Sequence, residues 1–152
     1  MKLKKGFSLI ELLVSIAILS ILAVVFVPKL WTYYQSTKQD KDAIKIESVN
    51  TILKTALGEE AVQREVISYV QDGTFTITFD CDDAGKIIWE NGTLEGKNTV
   101  ALKNTKIWSV ISADLESVYT CESKEHFNHS IRFVLTPKTT TTTADSAYSW
   151  IE

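Results

Sequence analysis

The 152-residue chain contains few of the residue types on which most catalytic and nucleic-acid-binding sites depend. It has two histidines, two arginines (Arg64 and Arg132) and a formal net charge of −3. Phosphate binding rests on clustered lysine and arginine, and no such cluster follows the first five residues. The serines have no activating sequence around them, such as a nucleophile elbow. The sequence therefore predicts neither an enzyme nor a nucleic-acid-binding protein.

Metal-binding and redox motifs are also absent. Cys81 and Cys121 are the only cysteines, and they do not form a Cys-x-x-Cys pair, which argues against zinc-ribbon and thioredoxin-like chemistry. The acidic stretch Asp80-Cys81-Asp82-Asp83 lacks the ordered pattern of a calcium loop and is predicted to be a solvated turn. His126 and His129 are three residues apart, but a surface loop is the favoured interpretation. We therefore expect no metal and no cofactor.

One long apolar run, Phe7 to Val27, dominates the N-terminal part of the chain. Its 21 residues include a single charged side chain, Glu11. At about 1.5 Å of rise per residue, the run makes a helix just long enough to cross the hydrocarbon core of a bilayer. It is longer than the core of a removable signal peptide, and no small-x-small cleavage site follows it. The run therefore predicts a membrane anchor.

The charges on either side of this run predict its orientation. Three lysines precede it, so the positive-inside rule places the N-terminus in the cytoplasm and everything after Lys29 outside. In such an oxidising setting an even number of cysteines favours a Cys81–Cys121 disulfide, with two separate buried thiols as the alternative. Closing a loop of about 40 residues stabilises a fold by roughly 4 kcal/mol on chain-entropy arguments.

The helix is expected to continue to about Leu57, with Gly58 as its stop. Pro28 removes one backbone hydrogen bond, so a kink or a locally melted turn is predicted there. Beyond a polar stretch, apolar residues recur at spacings of three and four and form one stripe: Ile46, Val49, Ile52, Leu53, Ala56 and Leu57. The second half of the helix is therefore amphipathic.

The remaining residues predict a small sheet. Residues 74–79 alternate, with Phe75, Ile77 and Phe79 on the buried face. Asn91-Gly92 predicts a two-residue hairpin turn after a strand at 86–90. The other expected elements are a short helix at 59–70, strands at 99–102, 132–136 and 147–151, either a helix or a strand within 104–118, and an exposed loop at Thr139 to Thr143. The fold class is α+β: a long N-terminal α-helix with a small antiparallel β-sheet head packed on its C-terminal half.

The segment Lys4-Lys5-Gly6-Phe7-Ser8-Leu9-Ile10-Glu11 resembles the N-terminus of type IV prepilins. In that family a basic leader ends in glycine, a peptidase cuts after it, and the new terminal phenylalanine is N-methylated. The resemblance implies that Lys4, Lys5, Gly6 and Phe7 are recognised by the peptidase, with cleavage before Phe7. The family's fifth mature residue is glutamate, which corresponds here to Glu11.

The resemblance also implies a domain organisation and a set of partners. Residues 1–6 would be the leader, 7–30 the transmembrane and filament-core helix, 31–57 an amphipathic helical stalk and 58–152 the head. Removing the leader takes away three of 16 basic side chains and leaves 13 against 19 acidic ones, a net charge of −6. The implied partners are sister subunits in a helical filament, a prepilin peptidase that also methylates Phe7, and an assembly machinery in the inner or cytoplasmic membrane.

The roles of Glu11 and Pro28 follow from the same resemblance. Glu11 is expected to pair with the α-amino group of Phe7 in a neighbouring subunit, and Pro28 lies where many such pilins carry a proline. The alternatives for Glu11 are a carboxylate kept neutral by the bilayer or one that reaches the membrane interface. The chain is thus expected as a membrane protein with its head outside, and then as part of a bacterial surface pilus.

Other classes of protein share parts of this sequence pattern. A minor pilin or a type II secretion-like pseudopilin has the same N-terminal signature, although a pseudopilin more often carries a metal site in its head. The head could instead be an adhesive binding module, with contacts at the turn around Asn91 and at the threonine run. A plain single-pass membrane protein would leave the Gly6-Phe7 and Glu11 pattern unexplained.

Overall fold

The structure is a computed structural model that describes residues 8–137 and 145–151. Its elements, in chain order, are α1 (Leu9–Ala56), α2 (Glu60–Val66), β1 (Phe75–Asp80), β2 (Lys86–Ile88), β3 (Thr93–Glu95), β4 (Thr99–Ala101), α3 (Lys106–Ile111), β5 (Val118–Thr120), β6 (Ser130–Thr136) and β7 (Asp145–Ile151). The predicted fold class is confirmed: a long N-terminal helix precedes a small antiparallel sheet of five strands.

Helix α1 is longer than any other element among these residues and remains helical through Pro28. Of the two outcomes predicted at Pro28, the locally melted turn is therefore wrong, and the kink stays a prediction. Proline removes only one hydrogen bond of the ladder, and long helical segments on both sides keep the backbone in register. The helix ends at Ala56, close to the predicted end, and the amide of Gly58 donates to the carbonyl of Thr55 at 2.9 Å.

The chain divides into two compact units, of which the first ends at Lys38 and the second begins at Gln39. In the first unit, every residue from 8 to 34 is exposed. In the second unit, the predicted apolar stripe of α1 is buried at Ile46, Val49 and Leu53, each at most 1% exposed, while Ile52 is half-buried. These side chains belong to the hydrophobic core that the sheet completes.

The main sheet has the strand order β4-β3-β1-β6-β7, and all of its pairings are antiparallel. Strand β1 is central, and its Ile77 is in register with Leu94 on one side and Phe133 on the other. The predicted alternation is confirmed, because Phe75, Ile77 and Phe79 are at most 1% exposed. Alternate side chains of β6 fill the same layer: Ile131, Phe133 and Leu135.

The predicted hairpin at Asn91-Gly92 is wrong. Residues 89–91 form a 3-10 turn, and β2 pairs with β5 in a separate two-stranded sheet instead of pairing with β3. Gly92 has a φ of −57°, not the positive φ that a type I′ turn requires. A Cβ at Gly92 would lie 2.4 Å from Cε1 of Phe79, so the glycine permits close packing against the core.

Two consecutive residues with positive φ angles occur instead at Asp72 and Gly73, with values of 52° and 83°. This pair joins Gln71 to Thr74, which form an isolated antiparallel bridge just before β1. The ambiguous stretch 104–118 contains the short helix α3, and β5 follows it as a strand that the sequence did not predict. The strands expected near 99–102, 132–136 and 147–151 are confirmed as β4, β6 and β7. The threonine run at 139–143 lies outside the described residues.

Candidate functional site: an apolar helix and a buried carboxylate

The first candidate site is the apolar surface of α1 before Lys38. The large apolar and aromatic residues from Leu9 to Tyr34 each have 45 to 81% of their surface exposed. Within the described parts of the chain, α1 is the one helix whose length and apolar composition suit a membrane span. Monomeric soluble proteins rarely expose an apolar surface of this extent, so such a surface indicates contact with lipid or protein.

Glu11 is the only charged side chain between residues 8 and 28. Its Oε2 atom accepts a hydrogen bond of 3.0 Å from the backbone amide of Ser8, which immediately precedes the first helical residue. This is the arrangement by which a glutamate at the third helical position caps its own helix. In a single chain, Glu11 therefore pairs with one of the backbone amides at the N-terminus of α1.

Two of the three serines of the apolar run, Ser15 and Ser20, are paired within the helix. The hydroxyl of Ser15 donates to the carbonyl of Glu11, and that of Ser20 donates to the carbonyl of Ile16, both at 2.7 Å. These bonds suit an apolar environment, where an unpaired polar group is costly. Lys4, Lys5, Gly6 and Phe7 lie outside the described residues, and their roles remain predictions.

The second candidate site is Asp42, which the sequence reasoning missed. Asp42 belongs to α1 and is fully buried. Its Oδ1 atom accepts hydrogen bonds from the hydroxyl of Tyr119 at 2.7 Å and from the amide of Glu122 at 2.9 Å. Its Oδ2 atom accepts from the amide of Ser123 at 3.0 Å and lies 2.8 Å from Nδ1 of His126. All four partners come from one segment of the head.

This arrangement keeps the Asp42 carboxylate ionised. Burial alone raises the pKa of Asp42, but the hydrogen bonds from Glu122, Tyr119, Ser123 and His126 outweigh it and lower the pKa below its usual range. The pKa of Tyr119 is raised, first by burial and then by its bond to this carboxylate. A buried charge with four donors is a strongly specified contact, because removing any partner leaves polar groups unsatisfied.

We call residues 116–126 the strap, because they cross the second-unit part of α1 and bind it at several points. Outside Asp42 these contacts are exposed ion pairs: Lys41 lies 3.1 Å from Glu122, and Lys45 lies 3.3 Å from Glu116. Gln39 also contacts Glu125. Exposed pairs contribute little stability, so among these polar contacts those of the buried Asp42 are the ones whose loss should cost most.

His126 is more enclosed than the predicted surface loop implies. Its side chain is 14% exposed, and its ring stacks on that of Trp150 with 4.1 Å between centroids and 5° between planes. The surface-loop prediction is therefore wrong for His126. The acidic turn behaves as predicted: Asp82 is exposed, and its Oδ1 accepts from the amides of Ala84 and Lys86 at 2.9 and 2.7 Å.

The two cysteines lie next to each other in the head. Their Sγ atoms are 3.8 Å apart, and both residues are buried. Burial is the main cause that raises the pKa of each thiol, Cys81 and Cys121. Cys121 belongs to the strap, and its Sγ lies within 4.8 Å of a carboxylate oxygen of Asp42 and a ring nitrogen of His126.

Comparisons with known proteins match a family model to the N-terminal part of the chain and two relatives to most of the chain. A family model described as the prokaryotic N-terminal methylation motif matches residues 1–27. Two curated relatives from Pseudomonas aeruginosa, each described as a fimbrial protein, are 30% identical over 132 residues. That alignment covers 72% of this chain and 86% of each relative. No solved structure matches the chain.

Proposed function

Because the chain belongs to the type IV pilin family, we propose that it is a structural subunit of a type IV pilus-like surface filament. The family consists of fimbrial subunits and is not an enzyme family, although the prepilin motif is itself a substrate for processing. The proposed subunit would be made as a membrane-anchored prepilin, cut by a prepilin peptidase and packed through α1 against sister subunits.

The observation that carries this proposal is the exposed apolar surface of α1 from Leu9 to Tyr34. Burying apolar surface yields roughly 25 cal/mol per Å², so leaving the bilayer for water would be strongly unfavourable for this helix. Packing against identical helices offsets that cost. A head-to-tail arrangement that does not close into a ring produces a helical filament.

Processing would change the surroundings of Glu11. In the single chain its carboxylate binds the amide of Ser8. Cleavage before Phe7 would create a positive α-amino group about one helical turn from Glu11. A neighbouring helix shifted by about one turn would bring its own terminus level with this carboxylate, and the pair would be screened far less in an apolar core than at a surface.

The proposal assigns each part of the chain a role. Residues 1–6 form the leader, 7–30 the membrane and filament-core helix, 31–57 the stalk and 58–152 the head. The basic N-terminus would stay in the cytoplasm and the head would lie outside, first at the membrane and then on the surface pilus. The adhesive-module alternative is weakened, because the hairpin tip expected to hold its contacts at Asn91 is replaced by a 3-10 turn.

The test is to express the chain with a pilus assembly machinery and to purify the surface filaments. We expect the filaments to contain this chain, beginning with an N-methylated Phe7. A matched strain without the prepilin peptidase should retain the leader and yield no filaments that contain the chain. Filaments that form without the chain, while the processed chain remains in the membrane, would contradict the proposal.

A further inference from the structure

Four side chains that could bind a transition metal converge where the strap meets α1. Ligand atoms of Asp42, Cys121 and His126 all lie within 4.8 Å of one another, and Sγ of Cys81 lies 3.8 Å from Sγ of Cys121. Cys121 and His126 lie five residues apart in the strap, whereas Asp42 and Cys81 are far from them in sequence, so no local spacing motif contains all four residues. We propose that, when both cysteines are reduced, these four side chains bind one Zn²⁺ ion.

Two distances between ligand atoms are close to those of a tetrahedral site, one between the two sulfurs and one between Asp42 and His126. Zinc binds thiolate sulfur at about 2.3 Å and nitrogen or oxygen at about 2.0 to 2.1 Å. On a tetrahedron these lengths separate two thiolates by about 3.8 Å and an oxygen from a nitrogen by about 3.3 Å. The two sulfurs already have this separation. Asp42 Oδ2 and His126 Nδ1 are 2.8 Å apart, so they need to open by only about 0.5 Å.

The surrounding hydrogen bonds orient the two non-sulfur ligands. Tyr119 and the amide of Glu122 bind Oδ1 of Asp42 and fix the carboxylate, while Oδ2 faces His126. The stacked ring of Trp150 holds the imidazole plane of His126. Such outer contacts commonly set the orientation of metal ligands in proteins. The carboxylate and the imidazole are therefore oriented before any ion enters, and binding requires the hydrogen bond between them to open and the Cys81 sulfur to join the group.

The donor set selects zinc over the hard cations. Two sulfurs and one imidazole nitrogen suit a borderline-soft ion, whereas Ca²⁺ and Mg²⁺ require oxygen ligands. On binding, each thiol loses one proton to solvent and forms a Zn–S bond, so one Zn²⁺ replaces two protons. His126 binds through the Nδ1 lone pair and carries its proton on Nε2.

Zinc binding and disulfide formation exclude each other, because oxidation removes both thiolates. A disulfide between Cys81 and Cys121 closes the strap onto the end of β1 covalently, whereas zinc joins the same two points to α1 as well. The strap is therefore attached to the end of β1 whether the two cysteines are oxidised or reduced. The cysteine pair would therefore hold the strap in place through a disulfide in an oxidising environment and through bound zinc in an oxygen-free one.

The first test uses the full-length chain in detergent micelles, reduced with a phosphine and freed of metal with a chelator. Co²⁺ is the spectroscopic probe. We expect one Co²⁺ per chain, with thiolate-to-metal charge-transfer absorption and the intense d–d bands of tetrahedral coordination, both lost when Zn²⁺ displaces it. Binding of Co²⁺ without the charge-transfer absorption, or no binding at all, would overturn the proposal.

Substitutions then test the individual ligands by competition with a chromophoric chelator. Cys121→Ser and His126→Gln should weaken Zn²⁺ binding by more than about 100-fold, and Tyr119→Phe, which acts through Asp42, by about 10-fold. His129→Gln is the matched control, since the Nδ1 of His129 contacts the carbonyl of Phe127 instead. Circular dichroism checks that each variant is folded. An equal loss of Zn²⁺ affinity in His129→Gln and His126→Gln would contradict the proposed zinc site.

A second measurement needs no substitution. Diamide accepts two electrons from the two thiolates, so its addition to the zinc-loaded chain should form the Cys81–Cys121 disulfide and release one Zn²⁺. A metal-sensitive dye records the release, and alkylation followed by mass spectrometry records the lost thiols. If the disulfide forms completely while zinc stays bound, these sulfurs do not hold the ion.

Discussion

Asp42 and Tyr119 are joined by a hydrogen bond of 2.7 Å, although 77 residues separate them in the chain. The carboxylate is fully buried and the hydroxyl points to it from the strap. A helix residue in an otherwise polar stretch thus fixes the position of a whole segment of the head. Removing the charge of Asp42 is the most direct way to measure what this contact contributes.

We predict that Asp42→Asn lowers the free energy of unfolding of the head by about 3 kcal/mol. The amide places a donor where two backbone amides and the Tyr119 hydroxyl already donate, and buried polar groups left unpaired cost about 1 to 3 kcal/mol each. Urea unfolding of the reduced, metal-free chain, followed by tryptophan fluorescence, measures the loss. Asp40→Asn, an exposed change on the same helix, is the control and should change stability by less than about 0.5 kcal/mol.

We predict that Glu11→Gln reaches the membrane with a normally folded head but enters filaments poorly. Glutamine keeps the shape and removes the charge that the α-amino group of a neighbouring Phe7 would pair with. Leaving one member of a buried pair alone typically costs about 3 to 5 kcal/mol. Filament yield and length are measured by electron microscopy, with Glu47→Gln on the exposed face of α1 as the control. Wild-type filaments from Glu11→Gln would show that the carboxylate is merely tolerated.

Replacing Gly6 with leucine should leave the leader uncut and the chain in the membrane. Glycine carries no side chain and lets a peptidase approach the bond closely, whereas leucine blocks that approach. Mass spectrometry of the membrane fraction would detect the uncut N-terminus, and Leu3→Ala in the same leader is the control that should still be processed. Surface filaments of the Gly6 variant with mature Phe7 termini would refute the cleavage site.

Export into an oxidising environment should join Cys81 to Cys121. The loop of about 40 residues so closed stabilises the head by roughly 4 kcal/mol on chain-entropy arguments. Alkylation of the unreduced, denatured chain followed by mass spectrometry counts the thiols, and a chain kept under reductant is the reference. Two alkylated cysteines in the exported chain would mean that the loop stays open and that this stabilisation is absent.

Gly92→Ala should destabilise the head by about 1 to 3 kcal/mol, the usual cost of overpacking a core. Its added Cβ would meet the ring of Phe79, which itself packs edge-to-face on Trp89 and Phe133. Denaturant unfolding measures the effect, and Asn91→Ala at the exposed neighbouring position is the control. A neutral Gly92→Ala would show that the Phe79 ring can move aside without cost.

The parts of the fold that could be predicted depend on local periodicity. The stripe of α1 and the alternation of β1 each place their apolar residues on one face, and burial follows directly from that pattern. The Asn91-Gly92 hairpin could not be predicted correctly, because the packing of Phe79 against Gly92 overrides the preference of the dipeptide for a turn. Strand β5 has three residues and depends on its pairing with β2, which is 30 or more residues earlier in the chain.

The position of Asp42 in the sequence indicates that it is buried. It lies four residues before Ile46 and seven before Val49, so it continues the buried stripe of α1. A carboxylate at a buried position requires donors, yet its donors lie 77 to 84 residues further along the chain. The sequence could therefore indicate that Asp42 is unusual without identifying its partners.

The strap also governs the order in which the head can fold. Asp42 is synthesised well before Tyr119, Glu122, Ser123 and His126, so its carboxylate stays hydrated until the later segment has been made and can reach it. Contacts of such long sequence separation slow folding, because loop-closure entropy must be overcome before they form. Membrane-anchored chains would then wait with an open head, and closure of the strap over Asp42 would be among the last steps of maturation.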